Sequence, residues 1–235
     1  MSESEVVKEK VELSVADGTQ MAAYVARPKD GRAHPGLLVF QEAFGVNHHI
    51  RNVTERFAAV GYVAIAPELF HRTAPPGFEG SYTDFPAVMP HLQAVTAETA
   101  EVDIRSAYDW LRLSAQANEI SSVGFCMGGR ASFIANSIVT LRAAVSFYGG
   151  GIAPGLLDRA AKLQAPSLFI WGGLDKHITL EQRRAVTDAL SAEKKIYVNA
   201  EFSRADHGFF CDERAAYEPH SAKQAWALTV EFLRS

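Results

Sequence analysis

Short apolar runs that alternate with segments of helical period constrain this chain more than any other feature. "VVKEKVEL", "GLLVFQE", "YVAIAP", "ISSVGFC", "AAVSFYG", "PSLFIWG" and "KKIYVNA" read as strands, the first with period two and several of the others almost continuously apolar. A continuous apolar run suits a strand buried on both faces of a parallel sheet, whereas period two suits a strand with one solvated face. Helical spacing fills the gaps between them. Ile50, Val53, Phe57 and Val60 recur on one face ahead of Gly61, a C-terminal stop, and Ala100, Ile104, Ala107 and Leu111 repeat the pattern. "GGRASFIANSIV", "TLEQRRAVTDALSA" and "AAYEPHSAKQAWALTVEFLRS" complete the helices, with Pro219 near the start of the last, where a missing amide proton matters least. The alternation predicts an α/β fold, a mostly parallel central sheet with helices on both faces and a site beyond the carboxyl ends of the strands.

Composition agrees with a folded chain of this kind. The 235 residues are 48% hydrophobic and 21% charged, and they hold no repeat, low-complexity tract or Gly/Ser linker, which predicts a single domain over 1–235. A net charge of -4 lacks the basic field that gathers nucleic acid or anionic lipid, so neither is expected as a partner. The N-terminal "MSESEVVKEKVELSV" carries Glu and Lys where a signal peptide would be apolar, and no run reaches membrane-spanning length. The expected address is cytoplasmic, where Cys126 and Cys211 are thiols rather than a bridge. One irregular stretch, "HRTAPPGFEGSYTDFPAVMPH" at 71–91, is long enough to be a lid or substrate-binding loop.

Cys126 stands at a junction, with "ISSVGFC" as the strand before it and "GGRASFIANSIV" as the helix after it. The surrounding pattern is GxCxG, the nucleophile elbow usually written GxSxG, with a thiol in place of the hydroxyl. Gly124 and Gly128 fit the close backbone approach of a sharp turn, and the helix that follows aims its N-terminus at the sulfur. A nucleophile needs a base, and the base needs a group to orient it. Asp175 follows the apolar strand of "FIWGGLDKHIT", and His207 lies in the loop of "IYVNAEFSRADHGFF" after another strand. The order nucleophile, acid, histidine is the chain order of α/β hydrolases. His177 is a rival base, but its place two residues from Asp175 suits the rim of a site.

Six motifs in order carry a family resemblance: "QEAFGVN" from Gln41, "APELFHR" from Ala66, "GFCMGG" from Gly124, "SFYGG" from Ser146, "GGLDKHIT" from Gly172 and "DHGFF" from Asp206. On these the chain resembles the dienelactone hydrolase family of the α/β hydrolase fold over almost its whole length. The resemblance implies a hydrolase of lactones or carboxylic esters with Cys126 as nucleophile, His207 as base and Asp175 as its orienting acid. It implies a thiol-modulating role for Glu42 and an oxyanion hole built from the backbone amides of Ala43 and Met127. No metal or organic cofactor is implied.

Arg72 matches a family arginine that meets a substrate carboxylate, a task for which a guanidinium is suited. The best-known members have a second arginine four places after the histidine, and here that place is Cys211, with Arg214 one turn further on. That departure leaves two substrate classes open, acidic lactones and neutral esters, with a broad carboxylesterase or a promiscuous phosphoester hydrolase as the alternative activity. A redox-sensing or binding module that keeps the pocket is the non-enzyme alternative, and a Cys126–Cys211 disulfide is conceivable if Cys211 sits on the rim. Tyr148 either hydrogen-bonds in the pocket or closes the core. His48 and His49 are adjacent, point apart on the following helix and suit solvent or the rim rather than a shared metal. The expected assembly is a monomer or a small homo-oligomer acting on a small-molecule ester or lactone.

Overall fold

The strands from the continuously apolar runs are buried at every position, as strands covered on both faces of a parallel sheet are. The structure, a computed structural model, describes residues 5–235, and the first four residues of the N-terminal stretch lie outside them. In chain order the elements of the first half are β1 (Val6–Ser14), β2 (Gln20–Pro28), β3 (Gly36–Phe40), α1 (His48–Ala59), β4 (Val63–Pro67), α2 (Phe85–Ala94), α3 (Ala97–Leu113) and β5 (Ile120–Phe125). The second half adds α4 (Met127–Ile138), β6 (Ala144–Phe147), a 3-10 turn (Leu157–Lys162), β7 (Ser167–Gly172), α5 (Leu180–Ala192), β8 (Tyr197–Phe202) and α6 (Pro219–Arg234). The strand order is β1-β2-β4-β3-β5-β6-β7-β8. The chain divides into two compact units, 1–122 and 123–235, and the boundary falls inside β5.

In the first unit β1 and β2 form an antiparallel pair, β2 runs antiparallel to β4, and β3 and β4 are parallel. Strands β3 and β4 are buried at every position, whereas β1 alternates. The sequence reading omitted β2. Its segment "QMAAYVARP" is rich in alanine and has one β-branched residue, so propensity was weak, and pairing with β1 along its whole length holds it in place. Helix α1 starts at Asn47, whose side chain accepts from the Ile50 amide at 3.2 Å, and α3 starts with a Thr96–Thr99 capping box.

The 71–91 stretch is not irregular throughout. Its end forms α2, which Asp84 caps through the Ala87 amide at 3.3 Å, and Val88 of that helix is buried with Ala43 and Phe44 against Phe78, Tyr82 and Leu92. Its middle is tied down by the Gly77 amide donating to Glu68 Oε2 at 2.8 Å and the Gly80 amide donating to the Phe44 carbonyl at 3.0 Å.

In the second unit β6, β7 and β8 are parallel in register, and α5 begins at a Thr179–Gln182 capping box. Strands β6 and β7 are wholly buried, while β8 at the edge is half exposed. Among the described residues no helix is long and apolar enough to cross a membrane.

Candidate active site

Strand β5 ends at Phe125, and Cys126 follows with φ 56° and ψ -117°, backbone geometry that L residues rarely adopt. The turn is held from both sides: the Cys126 amide donates to the Phe147 carbonyl at 3.0 Å, and the Gly129 amide donates to the Cys126 carbonyl at 3.0 Å. The glycines have a steric cause. A Cβ on Gly124 would collide with the Gly128 carbonyl, and one on Gly129 would lie 2.7 Å from the Phe147 carbonyl oxygen and 2.8 Å from Gly149 Cα. The turn thus presents a half-buried thiol at the first turn of α4. The amide of Met127 is the first of that helix, among those left without a partner inside it.

Asp175 lies in the loop between β7 and α5, and both of its oxygens are engaged. Oδ1 accepts the amides of His177 at 2.7 Å and Ile178 at 3.1 Å, and Oδ2 stands 2.8 Å from His207 Nδ1. Burial pushes the Asp175 carboxyl up, but the bonds and charge of His207, with the two amides, outweigh that and hold it below its ordinary value. His207 in turn hydrogen-bonds Cys126. With Nδ1–H given to Asp175, Nε2 is the nitrogen left to face the thiol. Burial drives the imidazole down, yet the hydrogen bonds and charges of Asp175 and Cys126 raise it to about 10.

That shift has a consequence for stability. A histidine whose folded pKa lies above its unfolded value stabilises the fold fully below about pH 6.5 and loses the contribution as pH rises through about 10. The expected result is that the gap in melting temperature between wild type and His207→Gln, followed by thermal unfolding from pH 6 to about 11, narrows across that interval. A gap that stays constant would contradict the linkage.

Aromatic rings pack around His207. Tyr148, at φ 36°, has 0% exposure, and its ring lies 5.1 Å from that of His207 and 5.6 Å from Phe209. It packs, fully enclosed, in the wall beside His207. His177 is exposed, its ring 5.2 Å from His207, as suits a rim residue. Arg130, one helical turn after Cys126, was not singled out from sequence. It is half-buried, burial lowers its pKa, and the charge of Cys126 partly offsets that. Its position four residues after a candidate nucleophile on the same helix is the signal that points to it.

Cys211 is completely buried, so the rim position that the disulfide idea required is corrected. The chain folds inward there because the Cys211 amide donates to the Gly208 carbonyl at 3.1 Å. Arg214 packs its guanidinium directly on Gly208, the neighbour of His207.

In the first unit, Glu42 and Ala43 follow β3 and are 1% and 2% exposed. His48 is exposed and His49 is buried, so the adjacent histidines do point apart, but only one of them faces solvent. Arg72 is bound by two carboxylates of its own unit. Its Nη1 and Nη2 donate to Asp103 Oδ2 and Oδ1 at 2.9 and 2.8 Å, and its Nε and Nη2 donate to Asp17 Oδ2 at 2.8 and 2.6 Å. Asp103 is 0% exposed, and this bidentate pairing satisfies a charge that burial otherwise disfavours. The guanidinium expected to meet a substrate carboxylate is thus engaged by Asp17 and Asp103 in this structure. Arg72→Met is expected to destabilise the protein by about 3 kcal/mol, because it leaves Asp103 without its cation. Urea unfolding measures this, and kcat/KM for acidic and neutral esters is expected to change by the same factor.

Cys126 after β5, Asp175 after β7 and His207 after β8 lie at the carboxyl ends of strands in a mostly parallel sheet, the arrangement of the α/β hydrolase fold. A family model described as the dienelactone hydrolase family matches residues 21–235, and the chain belongs to that family. A Synechocystis protein named "putative carboxymethylenebutenolidase" is 37% identical over 229 residues, covering 92% of each chain, and a Salmonella typhimurium protein of the same name is 35% identical, covering 92% of this chain and 83% of that one. A Klebsiella pneumoniae crystal structure, described as a "putative dienelactone hydrolase", superposes with a TM-score of 0.88 at 29% identity over 98% of this chain and 99% of that one. A dienelactone hydrolase-like promiscuous phosphotriesterase from metagenomic libraries shares the fold, with a TM-score of 0.82 at 20% identity over 97% and 98% of the two chains.

Proposed function

We propose that the chain hydrolyses small carboxylic esters and lactones through a Cys126–His207–Asp175 triad. The observation that carries this reading is the chain of contacts from thiol to imidazole to carboxylate, with His207 Nδ1 2.8 Å from Asp175 and Cys126 bonded to the same ring. Sγ, its proton already held on His207 Nε2, attacks the carbonyl carbon, while the Met127 amide stabilises the oxyanion. Collapse of the tetrahedral species breaks the ester C–O bond, and the imidazolium returns its proton to the departing alkoxide. Water, deprotonated by His207, then attacks the thioacyl carbon, releasing the acid and restoring the thiol. The roles of Glu42 and of the Ala43 amide rest on the family resemblance.

The engagement of Arg72 by Asp17 and Asp103 favours neutral esters over acidic lactones within this activity. A panel of both substrate types, assayed with wild type and Cys126→Ala, tests both points. The expected result is hydrolysis by wild type only, with kcat/KM for neutral esters at least equal to that for carboxylate-bearing lactones. A strong preference for the acidic lactone would remove the substrate assignment, and an active alanine variant would remove the mechanism.

A further inference from the structure

Helix α5 carries a charge on the face that should be apolar. Arg183 lies on its buried side with Val186 and Leu190, and is 8% exposed. A guanidinium that deep is costly unless its protons are used. Its Nη1 donates to the Gly172 carbonyl at 2.9 Å and lies 3.0 Å from Glu201 Oε2.

The two partners sit on different strands. Gly172 closes β7 and opens the turn to Asp175, whose amide bonds the same carbonyl at 3.4 Å. Glu201 is near the end of β8, from which the chain runs through 203–206 to His207, and it pairs across the sheet with Trp171. Beyond the strands the two segments stay in contact: the Gly173 amide donates to the Phe202 carbonyl at 2.8 Å, and the Leu174 amide donates to the Ala205 carbonyl at 2.9 Å. The approach leaves no room for a side chain at the junction, since a Cβ on Gly172 would lie 2.6 Å from the Ala205 carbonyl oxygen and 2.9 Å from that of Asp206. One guanidinium therefore grips both ends of the junction from which the acid and the base project.

We propose that Arg183 is a positioning residue for catalysis: it clamps the strand end that carries Asp175 to the strand that leads to His207, and so sets the distance between carboxylate and imidazole. The assignment rests on the triad reading above. Its physical basis is that a misplacement of about 1 Å in a reacting constellation lowers rate by about 10²-fold. Nothing in Arg183 touches the reacting atoms, so its loss should act on turnover and on the titration of His207, with substrate binding left alone.

The test compares wild type, Arg183→Met, Arg183→Lys and Cys126→Ala in p-nitrophenyl acetate hydrolysis, with a proton NMR titration of the His207 ring. Arg183→Met is expected to lower kcat by about tenfold or more with KM within about twofold. Its His207 midpoint should fall from about 10 in wild type toward the ordinary histidine value, because the carboxylate that holds it up is no longer held in place. A purely structural arginine would lower the melting temperature and leave both readouts unchanged in the folded protein, which would overturn the proposal. Should Arg183→Met fail to fold, Arg183→Lys decides. A point-charge ammonium does not reproduce the planar fork, so the same two changes are expected in smaller size, and their absence overturns the proposal. An active Cys126→Ala protein would instead refute the triad itself, whatever the Arg183 variants do.

Discussion

Cys126→Ala is expected to lower kcat for ester hydrolysis by about 10⁴-fold or more, with the protein still folded. The size follows from the proposed role: alanine removes the atom proposed to attack the ester, and would leave only binding and the oxyanion donors to act on the substrate. Removing a nucleophile in a triad costs about as much as removing the whole triad, so adding His207→Ala to Cys126→Ala should reduce the rate by less than about twofold further. Steady-state kinetics on both variants, with acid-quench mass spectrometry of wild type for an acyl group on Cys126, measures the effect. A single variant that keeps more than about a tenth of wild-type kcat would mean that another group attacks the ester.

The second large effect is on stability. Gly124→Ala is expected to destabilise the fold by about 3 kcal/mol or more and lower the melting temperature by about 10 °C. The added methyl meets backbone on every side, the Gly128 carbonyl first and the Gly129 amide nitrogen at 2.9 Å next. Backbone at that point is fixed by the bonds from Cys126 to Phe147 and from Gly129 to Cys126, so the elbow cannot open to admit the methyl without losing them. Gly155→Ala is the control: a Cβ there meets only the Gly151 carbonyl oxygen, at 3.5 Å, an ordinary contact. Calorimetry that put Gly124→Ala within about 2 °C of wild type would show that the elbow is far looser than its geometry indicates.

How much of this could be read before the fold was known differs residue by residue. The elbow was legible because its signal is local: Gly124, Cys126 and Gly128 lie within one turn, and the glycine that makes room for the turn at φ 56° is close in sequence. The placement of Asp175 and His207 was legible because each lies in the loop after a strand, and parallel neighbouring strands end at the same edge of the sheet. Strand β2 was hidden because alanine-rich segments give no propensity signal, and α2 because Pro86 and Pro90 lie within it.

Roles that depend on distant partners could not be read from the chain. Arg72 sits beside the long loop in a family motif, which suggested a substrate contact. Its actual partners are Asp17 and Asp103, 55 and 31 residues away in the chain. Arg183 is one of several charges on its helix, and its place in line with Val186 and Leu190 is the sign in the sequence that the buried face contains a cation. Cys211 gave no sign of being buried.

Sequence alone determined the alternation of strand and helix, the elbow turn at Cys126 and the chain order of Cys126, Asp175 and His207, because periodicity, turn sterics and chain order are properties of neighbouring residues. Tertiary structure alone decided that Arg72 is held by Asp17 and Asp103, that Cys211 is enclosed and that Arg183 bridges Gly172 and Glu201. A side chain's charge is written in the chain, but the partner that satisfies it and the burial that gives the pairing its strength arise only when distant segments pack together.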